Sequence, residues 1–152
     1  GLIFFLPSYH RNFGKRIIKS PKCYFFDTGI VCYLVGLNDP EHALKGPMGG
    51  ALFETSCVSQ IYKRLSIFNE ERFLYYFRSS DGVEVDLIIE QGNQCFPIEI
   101  KLSSTIDQHH IGNLIKWMTI SKLQSTKGLV ISTSNQQGLV AGNVQNVHFS
   151  NL

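Results

Sequence analysis

A chain of 152 residues is long enough to bury one hydrophobic core without disulfide or metal staples. Its apolar content of 43% and charged content of 17% exclude a disordered tail. No apolar run approaches the roughly 20 residues needed to cross a bilayer as a helix, and the opening Leu2-Ile3-Phe4-Phe5-Leu6 lacks the flanks of a secretory signal.

The net charge of +2 conceals an asymmetry. Residues 1–26 hold Arg11, Lys15, Arg16, Lys19 and Lys22 and no acid, while the rest of the chain is mildly acidic. A basic arm of this kind suits an anionic partner, nucleic acid first, or else is a solvated surface loop. Cys23, Cys32, Cys57 and Cys95 lie far apart with no Cys-x-x-Cys, which argues against zinc and for reduced thiols in a cytoplasmic protein. Because the chain opens on Gly1 with residues that already read as buried strand, it is expected to be the C-terminal piece of something longer.

In chain order, residues 2–6 read as a strand, and residues 16–18 as its return after a turn-rich basic loop. That hairpin would resemble the wing of a winged-helix segment, so residues 1–22 are expected to form a basic extension and residues 23–152 the main domain. Asp27 is an expected N-cap for a helix over 28–35, stopped by Gly36. Residues 38–50, with Pro40 and Pro47, read as a loop. Residues 51–65 carry Leu52, Val58, Ile61, Tyr62 and Leu65 at helical spacing, with Glu54 in the first turn.

Three strands follow, over 73–78, 83–90 and 95–102, joined by the turns Ser79-Ser80-Asp81-Gly82 and Gln91-Gly92-Asn93-Gln94. Short turns make them an antiparallel meander. Residues 105–122 place Ile111, Leu114, Ile115 and Met118 on one helical face, with Trp117 flanking it. The apolar run 128–132 then reads as a crossover back to a buried parallel strand, and 147–149 as a last edge strand.

Alternation along a strand puts Glu99 and Lys101 on one face and Ile98 and Ile100 on the other. In the preceding strand Val85, Leu87 and Ile89 are the expected apolar stripe, with Glu84 and Asp86 opposite. Paired strands would bring Asp86, Glu99 and Lys101 to one end of a sheet. Two carboxylates suit a hard divalent cation such as Mg²⁺, and a lysine beside them can orient a water or hold a phosphate. The same groups could instead neutralise one another as a buried ion pair. Glu84 is either a peripheral ligand or, the preferred reading, the partner of Arg78. His109 and His110 point to different sides of a helix and cannot chelate one ion together.

With these residues in place, the chain resembles the PD-(D/E)xK, or restriction-endonuclease-like, nuclease superfamily: Glu54 on a helix, Asp86 on the second strand, and Glu99-x-Lys101 on the third. It resembles more closely the C-terminal nuclease-like module of bacterial and archaeal AAA-type ATPases, of the domain of unknown function 4143 type. That likeness rests on residues 6–12 and 19–29, on Gly50-Ala51-Leu52-Phe53-Glu54, on residues 78–86, and on Ile98-Glu99-Ile100-Lys101. It implies a restriction-endonuclease-like α/β core: a mixed sheet with a three-strand antiparallel meander, a crossover helix and a parallel strand.

The resemblance also implies Mg²⁺ or Mn²⁺ held by Asp86 and Glu99, with Glu54 completing the shell and Lys101 positioning the attacking water. The implied partners are DNA, contacted by Arg11, Lys15, Arg16, Lys19 and Lys22, and an ATPase part of the same protein. The sequence departs from the fuller pattern twice. It has no Gly-x-x-x-x-Gly-Lys-Ser/Thr, so no ATP is expected to bind here, and its helix 105–122 has Gln108 without the Gln and Tyr spacing of recombination-type nucleases. The expected function is therefore a metal-dependent nuclease-like, DNA-binding domain. The alternative is a catalytically inactive nucleic-acid- or protein-binding regulatory module.

Overall fold

The computed structural model of the chain describes residues 1–10, 17–18, 20–67, 73–122 and 127–152. It is a mixed α/β fold with one six-stranded mixed sheet, one small antiparallel sheet and four α-helices among the described residues. No helix is long and apolar enough to cross a membrane, among the described residues.

The small sheet pairs β1 (Ile3–Leu6) with β2 (Lys22–Phe25), in a register that sets Phe4 against Tyr24 and Leu6 against Lys22. This corrects the expected hairpin, since β1 takes its partner from 22–25 and not from 16–18. Ile17 instead bridges Ser79, and the Ile18 N–H donates to the Arg78 carbonyl. The physical reason is core demand. Tyr24 is buried and stacks on Phe4, which anchors the later segment beside β1.

Asp27 caps α1 (Thr28–Leu34) by accepting from the Gly29 N–H. A helix, α2 (Pro40–Lys45), stands where a loop was expected. Pro40 does not prevent it, since it sits in the first turn, where its missing N–H costs nothing, behind the N-cap Asp39. A Glu41–Lys45 ion pair of 2.6 Å spans the helix. The long helix α3 (Gly49–Ile67) begins two residues earlier than its pattern suggested.

The meander is present as β3 (Phe73–Arg78), β4 (Glu84–Gln91) and β5 (Gln94–Lys101), all antiparallel. Gly82, at φ 87°, closes the first turn in a conformation other residues resist. Helix α4 (Gln108–Ile120), capped by Asp107, crosses over to β6 (Gly128–Ser132), which lies parallel to β5. The chain ends with β7 (Gly138–Ala141) and β8 (Val144–His148). The final strand is not the edge: the order is β3-β4-β5-β6-β8-β7, and β7 forms the rim.

Two cores flank the sheet. On one face Phe53, Cys57, Val58 and Ile61 of α3 pack with Phe4, Leu6, Tyr24, Leu87, Ile98 and Ile100. On the other, Ile111, Leu114 and Trp117 of α4 pack with Tyr9, Phe77, Val85, Ile88 and Val130. Trp117 is thus a core residue at 0% exposure and not a flank of the stripe.

The expected stripe of Val85, Leu87 and Ile89 is also corrected. Between Tyr75↔Ile88 and Phe77↔Val85 the pairing gains one residue on β4, a β-bulge. The bulge flips the alternation, so Val85 and Ile88 face α4 while Leu87 packs on the α3 side.

Candidate functional site

The bulge places Asp86 where β4 and β5 part. Their pairing runs from Gln91↔Gln94 to Leu87↔Ile98. One step further on, the Asp86 carboxylate accepts the Ile100 N–H at 2.8 Å. A side chain thus takes the place of a backbone partner, and the strands open an end onto which four carboxylates project.

On the α3 side the hub is Lys22. Its Nζ lies 2.8 Å from Glu84 Oε1, 3.2 Å from Glu54 Oε1 and 4.0 Å from Asp86 Oδ1. It also sits 5.4 Å from the centre of the Tyr76 ring. The Tyr24 hydroxyl donates to the same Glu54 Oε1 at 2.5 Å. Arg78 Nε meets Glu84 Oε2 at 3.1 Å, as the ion-pair reading of Glu84 expected.

On the α4 side Glu99 Oε1 pairs with Lys101 Nζ at 2.7 Å. Cys95 has the same strand parity as Glu99 and packs into the α4 core, which fixes the face. Glu99 Oε2 is buried and has no hydrogen-bond partner among the described residues.

The electrostatics follow from this crowding. Burial, and then the Glu54 charge, push the Asp86 carboxyl up to about 6 despite the Ile100 N–H, Lys22 and Lys101. Burial and the Asp86 charge push Glu99 up to about 8, against the pull of Lys101. Burial opposes the charge on Lys22, yet Glu54, Glu84 and Asp86 outweigh it and hold the ammonium above its ordinary value. Lys101 is raised likewise, with Glu99 outweighing burial, so it is a proton-bearing donor at neutral pH and not a base. Burial and then Glu54 raise the Tyr24 phenol far above its usual range and the Cys57 thiol to about 12, so neither is a nucleophile.

Of the expected site residues, Glu54 and Asp86 come together around Lys22, and Glu99 and Lys101 come together as a pair. The halves meet at one sheet end, near enough for the Asp86 charge to act on Glu99. Among the described residues no group of three or more His, Cys, Asp or Glu is gathered to hold a metal ion. Donor chemistry nevertheless fits a hard divalent cation. Among the described residues Glu54, Glu84, Asp86 and Glu99 are all oxygen donors, they outnumber Lys22, Lys101 and Arg78, and one buried carboxylate oxygen is unpartnered.

Arg11, Lys15, Arg16 and Lys19 of the expected nucleic-acid contact lie outside the described residues. Lys22 lies within them and is engaged by carboxylates, so it belongs to the acidic site. Sequence reasoning missed Lys22 and Tyr24 as members of that site. Their i, i+2 spacing on a strand, which puts both on one face, was the available signal.

Residues 49–152 match the family described as Domain of unknown function (DUF4143), and residues 1–41 match another, Domain of unknown function (DUF8612). Uncharacterized protein Rv2008c of Mycobacterium tuberculosis and Uncharacterized protein Mb2031c of Mycobacterium bovis are each 34% identical over 100 residues, covering 66% of this chain. The matched part is only 22% of each relative's length. No solved structure matches. Since its match takes in helix α3 and the whole six-stranded sheet, the chain belongs to the Domain of unknown function (DUF4143) family.

Proposed function

We propose that this chain is a metal-dependent, nuclease-like domain of the PD-(D/E)xK kind that binds DNA, working as the C-terminal part of an AAA-type ATPase. The observation that carries the reading is Glu99: its Oε2 is buried without a partner among the described residues, beside Lys101 and within electrostatic reach of Asp86. A buried carboxylate oxygen left unpaired is costly, and a cation removes that cost. Asp86 and Glu99 would hold Mg²⁺ or Mn²⁺, with Glu54 supporting from α3. Such an ion, when bound, supplies Lewis-acid stabilisation of charge developing on a phosphodiester. Lys101, protonated and half-exposed, donates to a phosphate oxygen or orients a water as a point charge.

The test is Mn²⁺ titration by calorimetry on the native chain and on Asp86→Asn at neutral pH. Binding that is lost in the variant supports the reading. No binding in the native chain refutes it.

One observation favours a second reading. Lys22 stands among Glu54, Glu84 and Asp86 as a ready-made counter-cation. A site closed in that way fits a non-catalytic nucleic-acid- or protein-binding regulatory module. That module would bind DNA with steep salt dependence, need no metal and cleave nothing.

A further inference from the structure

A polar cleft of about 600 Å³ opens on the α4 side of the sheet, away from the Lys22 hub. Glu99 and Lys101 lie at its sheet side, and Gln108, His109, Asn113 and Lys116 of α4 line its opposite wall. Its size falls within the range of small-molecule sites, roughly 300–1,000 Å³. Among the described residues neither wall carries a large apolar side chain.

Three independent facts give the cleft a chemistry. Glu99, only 5% exposed and at the cleft's sheet side, keeps one carboxylate oxygen unpartnered among the described residues. Asp107 accepts the N–H groups of His109 and His110 and also holds the His110 ring at 2.7 Å. The helix end is therefore already satisfied, and recognition falls to exposed side chains. His109 and Lys116 are both exposed and stand seven residues apart on α4, a separation of about 10 Å along the axis. Cationic or donor groups at both ends of a 10 Å wall suit a run of phosphates better than a single one. Among the described residues no Phe, Tyr or Trp lines the cleft to stack a base.

Resting on the nuclease-type reading, we propose that this cleft is where the sugar-phosphate backbone of a single nucleic-acid strand lies. His109, Asn113 and Lys116 are its positioning residues, and the strand is delivered to the Glu99–Lys101 pair without reading of base identity. This assigns backbone contact to α4, in addition to the basic arm.

The experiment is fluorescence anisotropy of a labelled single-stranded oligonucleotide in chelator, with native chain, Lys116→Glu, and His109→Ala combined with Asn113→Ala. Calorimetric Mn²⁺ titration runs alongside on each. Expected are a loss of about tenfold or more in affinity for each variant, and a salt slope that falls by about one for Lys116→Glu. Poly-dT and mixed-sequence probes should bind alike, and Mn²⁺ affinity should be unchanged. Unchanged oligonucleotide affinity in both variants would overturn the proposal, as would equal competition by an oligo-glutamate peptide, which would mean that charge alone is read. Loss of Mn²⁺ binding in the native chain with the variant effects retained would defeat the metal reading but leave the cleft standing.

Discussion

Asp86 and Glu99 invite a titration. Burial and neighbouring carboxylates lift Asp86 from its ordinary 3.8 to about 6, and Glu99 from 4.5 to about 8. A carboxyl raised in this way binds more protons in the native than in the unfolded state. Its stabilising contribution is complete below the unfolded value, near pH 4, and is lost as pH rises through the folded value. Unfolding free energy should therefore fall between about pH 4 and about pH 8, with the Asp86 share lost by about pH 6, the reverse of common acid lability.

Each pH unit of displacement corresponds to about 1.4 kcal/mol, so Asp86 alone is worth on the order of 3 kcal/mol. Glu99, whose shift already includes the Asp86 charge, is not added. For a chain of this size that is a melting shift of roughly 6–12 °C. The assay is thermal denaturation followed by circular dichroism, in metal-free buffer across that window, for the native chain and Asp86→Asn. Asparagine keeps an acceptor for the Ile100 N–H at 2.8 Å while removing the charge, so the strand contact survives and the pH slope should flatten. A native melting temperature that climbs with pH, or an equal slope in the variant, would refute this account of the site.

Replacing the hub, Lys22→Gln, removes the ammonium from among Glu54, Glu84 and Asp86, and should tighten Mn²⁺ binding by about tenfold, equivalent to ~1.4 kcal/mol. Unchanged affinity in calorimetry would mean that lysine and metal do not compete. Trp117→Ala empties the largest fully buried side chain from the α4 core and should cost about 3–5 kcal/mol in urea denaturation. A loss below about 1 kcal/mol would show that the ring is not supporting the sheet.

The meander and the crossover were legible because short turns carrying Gly82 and Gly92 separate the strand runs, and the apolar run of β6 follows a helical pattern. So was the Glu99–Lys101 pair, whose shared face follows from strand geometry alone. The turn of Asp86 towards Lys22 was not. It depends on a bulge that exists only once β4 is laid against β3, and local alternation holds no record of a residue gained in pairing. Helix α2 was hidden by its proline, which terminates helices everywhere except at their start. Trp117 lies off the main stripe of α4, and only the rings of Tyr9 and Phe77, brought from distant parts of the chain, show that its side is covered as well. Lys22 looked like the last member of a basic run, and its fate was decided by acids 32 and more residues away.

Lys22 and Tyr24 have a bearing on where this molecule can be cut. The two family matches leave a gap between residues 41 and 49 that looks like a seam. Phe4, Leu6 and Tyr24 from the first segment nevertheless share one core with Phe53, Leu87 and Ile98 from the second. Severing the chain at the seam would bare those side chains and take Lys22 away from Glu54, Glu84 and Asp86 in one stroke. The unit expected to melt cooperatively is thus larger than either family segment, and the Lys22 and Tyr24 contacts to the acidic end of the sheet exist only when both are present.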